Sequence, residues 1–455
     1  MDKNQRMQNL VREAYERGLF NGTWLYAENG EIVSKGAVGW RDPADTLPMR
    51  EDSLFDLASV SKNFTGAAIM LLNREGKLSL DDELTKFFPE VPYRGVTVWH
   101  LLHHMGGLPD YMEWVAKVAE EENTIPPNSV MIRFLVESGM EPDFAPGEKC
   151  EYSNTGYCVL AEIVEKASGI FFDEFMRKRI FEPAGMFSTR LIHRRKDHLT
   201  VENLAYGLVP VDGKYVLPDD TDGEAHCVVP LDGVSGDGIV HTNIFDLLAW
   251  DRALREEKLL TREEQELMYT PGKLNNGETG KIEDWGNENG YGFGWEIATD
   301  PDLGRLVWHS GGWPGYETLL ERYLDTDKVL IMLNCRECPD ARGYKSLIAG
   351  MKAIMKGQEP KPIQTIEDME IKDPDKSGWD AFCGQYETPV KDFPLEEVFR
   401  KDGDLYGKAK RENGEDFFFR LYPLGGNVFG RKGWTEQIAF GDGFLTIDGK
   451  TCKKR

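Results

Sequence analysis

A serine and a lysine three residues apart, in Ser59-Val60-Ser61-Lys62, can share one face of a helix, which sets a hydroxyl beside an amine able to take its proton. The chemistry this allows is attack of a serine oxygen on an acyl carbon. At a helix start, Ser59 would also lie among unpaired backbone N–H groups and the positive end of the helix dipole, where an oxyanion is stabilised. The spacing alone is unspecific, since about one or two S-x-x-K matches arise by chance in a chain of this length. Tyr152-Ser153-Asn154 is the only Y-x-N in the chain. Holding its phenol as phenolate near pH 7 costs about 4 kcal/mol against an ordinary pKa of about 10, so a cation must offset it, and Lys62 is the candidate. The Asn154 amide offers a substrate amide both a donor and an acceptor. His309-Ser310-Gly311-Gly312 comes directly after the strand-like Arg305 to Trp308, where glycines would let an extended substrate approach backbone donors. At an unperturbed pKa of about 6.5, His309 would be about one quarter protonated at pH 7. Lys376-Ser377-Gly378 fits the same [HK]-x-G pattern but has no strand before it.

Other clusters carry less. His100, His103 and His104 have helical spacing, but no carboxylate joins them in the H-E-x-x-H manner, so no metal is assigned. The seven cysteines are odd in number and thinly spread, against a disulfide framework, and the lone pair Cys335 and Cys338 reads as a strand end entering a loop.

These residues need elements to position them. The helix that carries Ser59 is expected from about Ser59 to Glu75, with Val60, Phe64, Ala67, Ala68, Leu71 and Leu72 on one side and Gly76 as its stop. Further helices are expected over 98–104, 129–138, 155–168, 172–180, 244–254 and 341–355. Asn29-Gly30 predicts a hairpin between 24–27 and 32–40, and later strands are expected over 292–298, 305–309, 317–324 and 328–334. Strands at both ends thus bracket a helical middle. The polar stretch 357–376 reads as a linker. Beyond it, short apolar and aromatic runs separated by glycines predict a small antiparallel barrel or sandwich. The expected division is a catalytic domain over 1–360, a linker over 361–377 and a β-barrel over 378–455.

Among 455 residues, 54 Lys and Arg face 78 Asp and Glu, a net charge of −24 that excludes a nucleic-acid partner. The longest apolar runs, such as 67–72 and 329–333, fall far short of the roughly 18 residues a membrane span requires. The first twenty residues lack the apolar core of a signal peptide. A cytoplasmic location without a membrane partner is expected.

Taken in order, S-x-x-K, Y-x-N and H-x-G resemble the serine β-lactamase and penicillin-binding-protein family, on its class C side. Phe20-Asn21-Gly22 and the segments 76–82, 101–111 and 236–246 extend the resemblance over roughly residues 15–355. The segment around Cys383-Gly384-Gln385-Tyr386-Glu387 resembles the lipocalin-like domain found behind some D-aminopeptidases. The resemblance implies an α+β fold, with an antiparallel sheet flanked by helices, a helical lobe and a small antiparallel β-barrel after them. It implies Ser59 as acylated nucleophile and Lys62 with Tyr152 as the proton-transfer pair, the choice of base left open. Asn154, His309, Gly311 and Gly312 become substrate contacts, with the N–H groups of Ser59 and Gly312 as oxyanion hole and no metal or cofactor. Two departures stand out: His309 where relatives usually carry Lys, and His103-His104-Met105-Gly106-Gly107 where they usually read Thr-His-Thr-Ser-Gly. The weakened positive field tilts the reading towards aminopeptidase- or D-amino-acid-amidase-like action on small molecules or short peptides, the barrel restricting the cleft. Carboxylesterase or weak β-lactamase action is the alternative, and a β-lactam-binding protein without turnover is the reading from another class. Assembly stays open, a homo-oligomer included.

Overall fold

Asn29 and Gly30 both take positive φ angles, 50° and 74°, the geometry of a tight primed turn whose twist matches the strands it joins. They connect β1 (Gly22–Glu28) to β2 (Glu31–Val38). The computed structural model describes residues 1–284, 287–387, 395–410, 416–433, 435–447 and 450–455. Six later strands complete the sheet: β3 (Lys281–Asp284), β4 (Asn287–Tyr291), β5 (Glu296–Asp300), β6 (Gly304–Trp313), β7 (Tyr316–Tyr323) and β8 (Lys328–Asn334). Their order is β2-β1-β8-β7-β6-β5-β4-β3, and every neighbouring pair is antiparallel. The first hairpin therefore joins the last strand, with Trp24 opposite Met332.

The chain divides into two compact units. One, residues 21–221 and 225–337, holds this sheet and the helical lobe. Helix Lys62–Arg74 is its buried axis, with every residue from Lys62 to Leu72 removed from solvent. Helix Asn154–Ser168 starts where the Ser153 hydroxyl accepts from the Gly156 N–H and ends at Gly169, whose φ is 74°. The other unit, residues 1–20, 222–224 and 338–455, contains helices Lys3–Glu16 and Ala341–Met355 and a closed antiparallel barrel of eight strands between Gly384 and Lys454. The barrel has its own core, built on residues such as Leu395, Leu405, Leu421, Phe429 and Leu445. The expected α+β layout and the closed barrel are both present.

Local differences from the sequence reading have physical causes. Ser59 lies in a 3-10 turn, Ala58–Ser61, and the α-helix begins only at Lys62. The run expected as one strand over 292–298 is broken, because Gly294 (φ 79°) passes so close to Lys62 that a Cβ there would lie 2.2 Å from the Lys62 carbonyl oxygen. His309 to Gly312 lie inside β6 rather than after a strand, paired with β7 as far as Trp313. The helix expected over 172–180 continues from Phe172–Phe175 into a π-helical turn, Met176–Phe181. Within the polar stretch, Thr365 and Asp368 form a capping box that starts a short helix, Ile366–Met369. Among the described residues, no helix is long and apolar enough to cross a membrane.

Candidate active site

The turn before Ser59 is held under strain. Ala58 has φ 47°, a left-handed conformation that costs an alanine on the order of 1 kcal/mol or more. Three contacts impose it. The buried Asp56 carboxylate accepts the Ala58 N–H at 2.8 Å, the Leu57 N–H donates to Val240 at 2.9 Å, and the Thr318 hydroxyl donates to the Leu57 carbonyl at 2.7 Å. Gly311 closes the turn from the β6 side, where a Cβ would stand 2.2 Å from the Leu57 carbonyl oxygen. That close approach, rather than access for a ligand, is what the glycine at 311 provides.

Lys62 follows one turn later, fully buried. Its Nζ donates to Ser59 Oγ at 3.0 Å, to Asn154 Oδ1 at 2.9 Å and to the Asp237 carbonyl at 2.8 Å. Burial lowers its pKa from 10.5 to about 8, with the Asp237 carboxylate opposing the shift.

Nζ stands 4.9 Å from the centre of the Tyr152 ring. Tyr152 keeps 38% of its surface open, yet the protein crowded around its phenol raises its pKa well above the usual value, against a smaller pull from Ser59. The expectation that Lys62 would hold a phenolate is therefore corrected: desolvation, reinforced by the neighbouring acids Asp237 and Glu296, dominates, and Tyr152 is a neutral phenol.

His309 is also corrected. Burial first, and the Lys62 charge second, depress its pKa to about 3, so it is neutral at pH 7 rather than one quarter protonated. Its single ring proton is placed by its neighbours. Nδ1 donates to the Ser310 carbonyl at 2.6 Å, and Nε2 accepts from the Tyr291 hydroxyl at 2.9 Å. His104 lies between Tyr152 and Tyr291, ring centres 4.4 and 4.2 Å away. Its Nδ1 accepts from the Ser153 N–H at 3.1 Å and its carbonyl from the Glu151 N–H at 2.9 Å, so it braces the segment that carries Tyr152.

Of the expected site residues, Ser59, Asn154 and Gly312 line one cleft together with Tyr111, Asp237 and Trp313. Lys62 lies behind Ser59, and Tyr152, His309 and Gly311 are not among the residues that line this cleft, although Tyr152 stays partly open beside Lys62. Tyr291, His104, Tyr111 and Asp237 were missed as site residues. Asp237 sits in Ser235-Gly236-Asp237-Gly238, a glycine-bracketed acid inside a segment that already carried family likeness. For Tyr291 the only signal is its glycine-flanked place in Asn289-Gly290-Tyr291-Gly292.

Comparison with known proteins settles the family. The family model described as Beta-lactamase matches residues 7–343. The chain belongs to the β-lactamase family. As a β-lactamase-family chain with this fold it is a serine hydrolase. It is 38% identical to penicillin-binding protein 4* of Bacillus subtilis over 387 residues, 85% of this chain and 83% of that protein. In structure it is similar to the octameric penicillin-binding protein homologue from Pyrococcus abyssi, with a TM-score of 0.67, 24% identity and complete coverage of both chains. It is also similar to the D-amino acid amidase of Ochrobactrum anthropi SV3, with a TM-score of 0.64 and 24% identity, over 78% of this chain and 99% of that one.

Proposed function

We propose that this serine hydrolase forms an acyl-enzyme on Ser59 and acts on small amides or short peptides that carry a free amine, in the manner of an aminopeptidase or D-amino-acid amidase. The observation that carries the chemistry is the set of three partners around Lys62 Nζ. Two of them, the Asn154 and Asp237 oxygens, can only accept. A neutral amine has two protons and one lone pair, so the two carbonyl oxygens take the protons and the lone pair is left for the Ser59 hydroxyl. Lys62 is thereby the base, and Ser59 attacks as its proton moves to Nζ. The C–N or C–O bond then breaks, and the leaving group takes a proton from the neutral Tyr152 hydroxyl, which Lys62 refills. Water repeats the sequence to release the acid. The N–H groups of Ser59 and Gly312 serve as oxyanion hole.

The choice of substrate rests on charge. Apart from Tyr111, the ionisable side chains on the described cleft wall are the acids Asp56 and Asp237, and His309 is neutral. Among the described residues that line this cleft a substrate carboxylate finds no cation, and Lys62 behind Ser59 must be neutral to act. Relationship to penicillin-binding protein 4* supports a second reading, in which a β-lactam acylates Ser59 and leaves slowly. Turnover of D-alanyl p-nitroanilide, p-nitrophenyl acetate and a penicillin, each corrected for the Ser59→Ala background, separates these. Anilide turnover comparable with the ester is expected; ester turnover alone reassigns the protein as an esterase, and a stable penicilloyl adduct without turnover supports the second reading.

Lys62 must lose its proton to act, and its pKa is about 8. With p-nitrophenyl acetate, whose acyl group does not titrate, kcat/KM is expected to rise about tenfold per pH unit below that value and to level off above it. A profile flat from pH 6 to 9 would remove Lys62 as base.

A further inference from the structure

We propose that the Asp237 carboxylate anchors a protonated amine on the acyl portion of the substrate, an inference that rests on Ser59 being the acylated nucleophile. Asp237 is held close to the reacting atoms. Its carbonyl oxygen is 2.8 Å from Lys62 Nζ, the same atom that lies 3.0 Å from Ser59 Oγ. The preceding Gly236 (φ 102°) runs so near helix Asn154–Ser168 that a Cβ would stand 2.4 Å from the Tyr157 carbonyl oxygen, which leaves the segment little room to shift. The carboxylate itself is oriented by the Tyr111 hydroxyl, which donates to Oδ2 at 3.1 Å. A carboxylate offers about four acceptor sites, so capacity remains for an ammonium. The residue is only part-buried and lines the cleft, so a ligand can reach it.

The other acid on the wall is less suited. Asp56 is buried, one of its oxygens holds the Ala58 N–H at 2.8 Å, the other faces His241 at 4.0 Å, and burial raises its pKa.

Charge balance gives the anchor a second consequence. With Lys62 protonated, the Asp237 carboxylate has a counter-charge nearby. Once Lys62 becomes the neutral base, that carboxylate stands uncompensated. An incoming ammonium restores the balance, and by repelling the Lys62 proton it favours the reactive form of the amine.

The test compares racemic alaninamide with propionamide, which differ by the amine, as protectants of Ser59 against labelling by a neutral fluorophosphonate. In the wild-type protein alaninamide is expected to protect at concentrations about 10- to 100-fold lower than propionamide. In Asp237→Asn that ratio is expected to fall to about threefold or less, and in Asp237→Glu to be partly retained. Both amides meet the same variant, so any effect of the substitution on Lys62 or on folding cancels in the ratio. A ratio near one in the wild type, or a ratio unchanged in Asp237→Asn, overturns the proposal. Absence of wild-type Ser59 labelling is a distinct result: it overturns the nucleophile itself and the amine anchor with it.

Discussion

Lys62→Met is expected to lower Ser59-dependent kcat/KM by about 10⁴-fold, the upper end of what a positioned base contributes, and to abolish the rise in rate around pH 8. Methionine nearly matches lysine in length and leaves no charge in a fully buried site. The same variant has a stability signature that a merely structural lysine would lack. In the folded protein the Lys62 pKa is lowered from 10.5 to about 8. Between those values the unfolded chain still binds the proton while the folded one has released it, so folding is favoured as pH rises. At about 1.4 kcal/mol per unit, the stability of the wild type relative to Lys62→Met is expected to increase by on the order of 3 kcal/mol across this window. Urea unfolding of both proteins at several pH values measures the difference. A constant difference from pH 8 to 10.5 would show that the amine titrates normally, and with it the case for Lys62 as base would fail.

The large features of the fold were legible because they rest on strong local signals. Asn29-Gly30 set the first hairpin, Gly76 marked the end of the helix after Ser59, and the unbroken apolar run Val329 to Leu333 of β8 is buried throughout. The helix over 341–355 was read to the residue for a similar reason, since the Asp340 cap and the pattern of Tyr344, Leu347, Ile348, Met351, Ile354 and Met355 agree. What failed were places where distant chain segments dictate conformation. Nothing in Gly292 to Ala298 announces that Gly294 must clear the Lys62 carbonyl, and nothing near Ser59 announces that Ala58 must turn left-handed beneath Gly311.

The candidate site divides along the same line. Residue types and order brought Ser59, Lys62, Tyr152 and Asn154 to attention, and the structure gathers them. Their protonation was not legible, because it depends on burial by residues scattered along the chain. His309 reads as a weak cation in sequence and becomes a neutral acceptor once Tyr291 donates to it. Tyr152 reads as a candidate phenolate and becomes a neutral phenol. Asp237 gave no chemical signal at all, since an acid between glycines in a chain with 78 acids is unremarked until its carbonyl is found on Lys62.

Adjacent glycines in β6 supply the second large effect. A Cβ on Gly311 would lie 2.2 Å from the Leu57 carbonyl oxygen, 2.3 Å from Thr318 Oγ1 and 3.2 Å from the Ala58 Cβ, whereas a Cβ on Gly312 meets nothing within 4 Å. Two of the first three atoms belong to the strained turn that carries Ser59, and the third is the hydroxyl that pins it. Gly311→Ala must therefore push β6 away from that turn or relax the turn itself. Overpacking of this kind costs about 1–3 kcal/mol, and a shift of about 1 Å in a reacting group lowers rate by about 10²-fold. Gly311→Ala is expected to show both losses, in urea unfolding and in kcat/KM, while Gly312→Ala keeps wild-type stability. The contrast isolates the cause, because the two variants add the same methyl group one residue apart on the same strand. If Gly311→Ala retains activity within about threefold of wild type, the left-handed turn at Ala58 is not what holds Ser59 in place, and the positioning must be sought in the contacts of Lys62 alone.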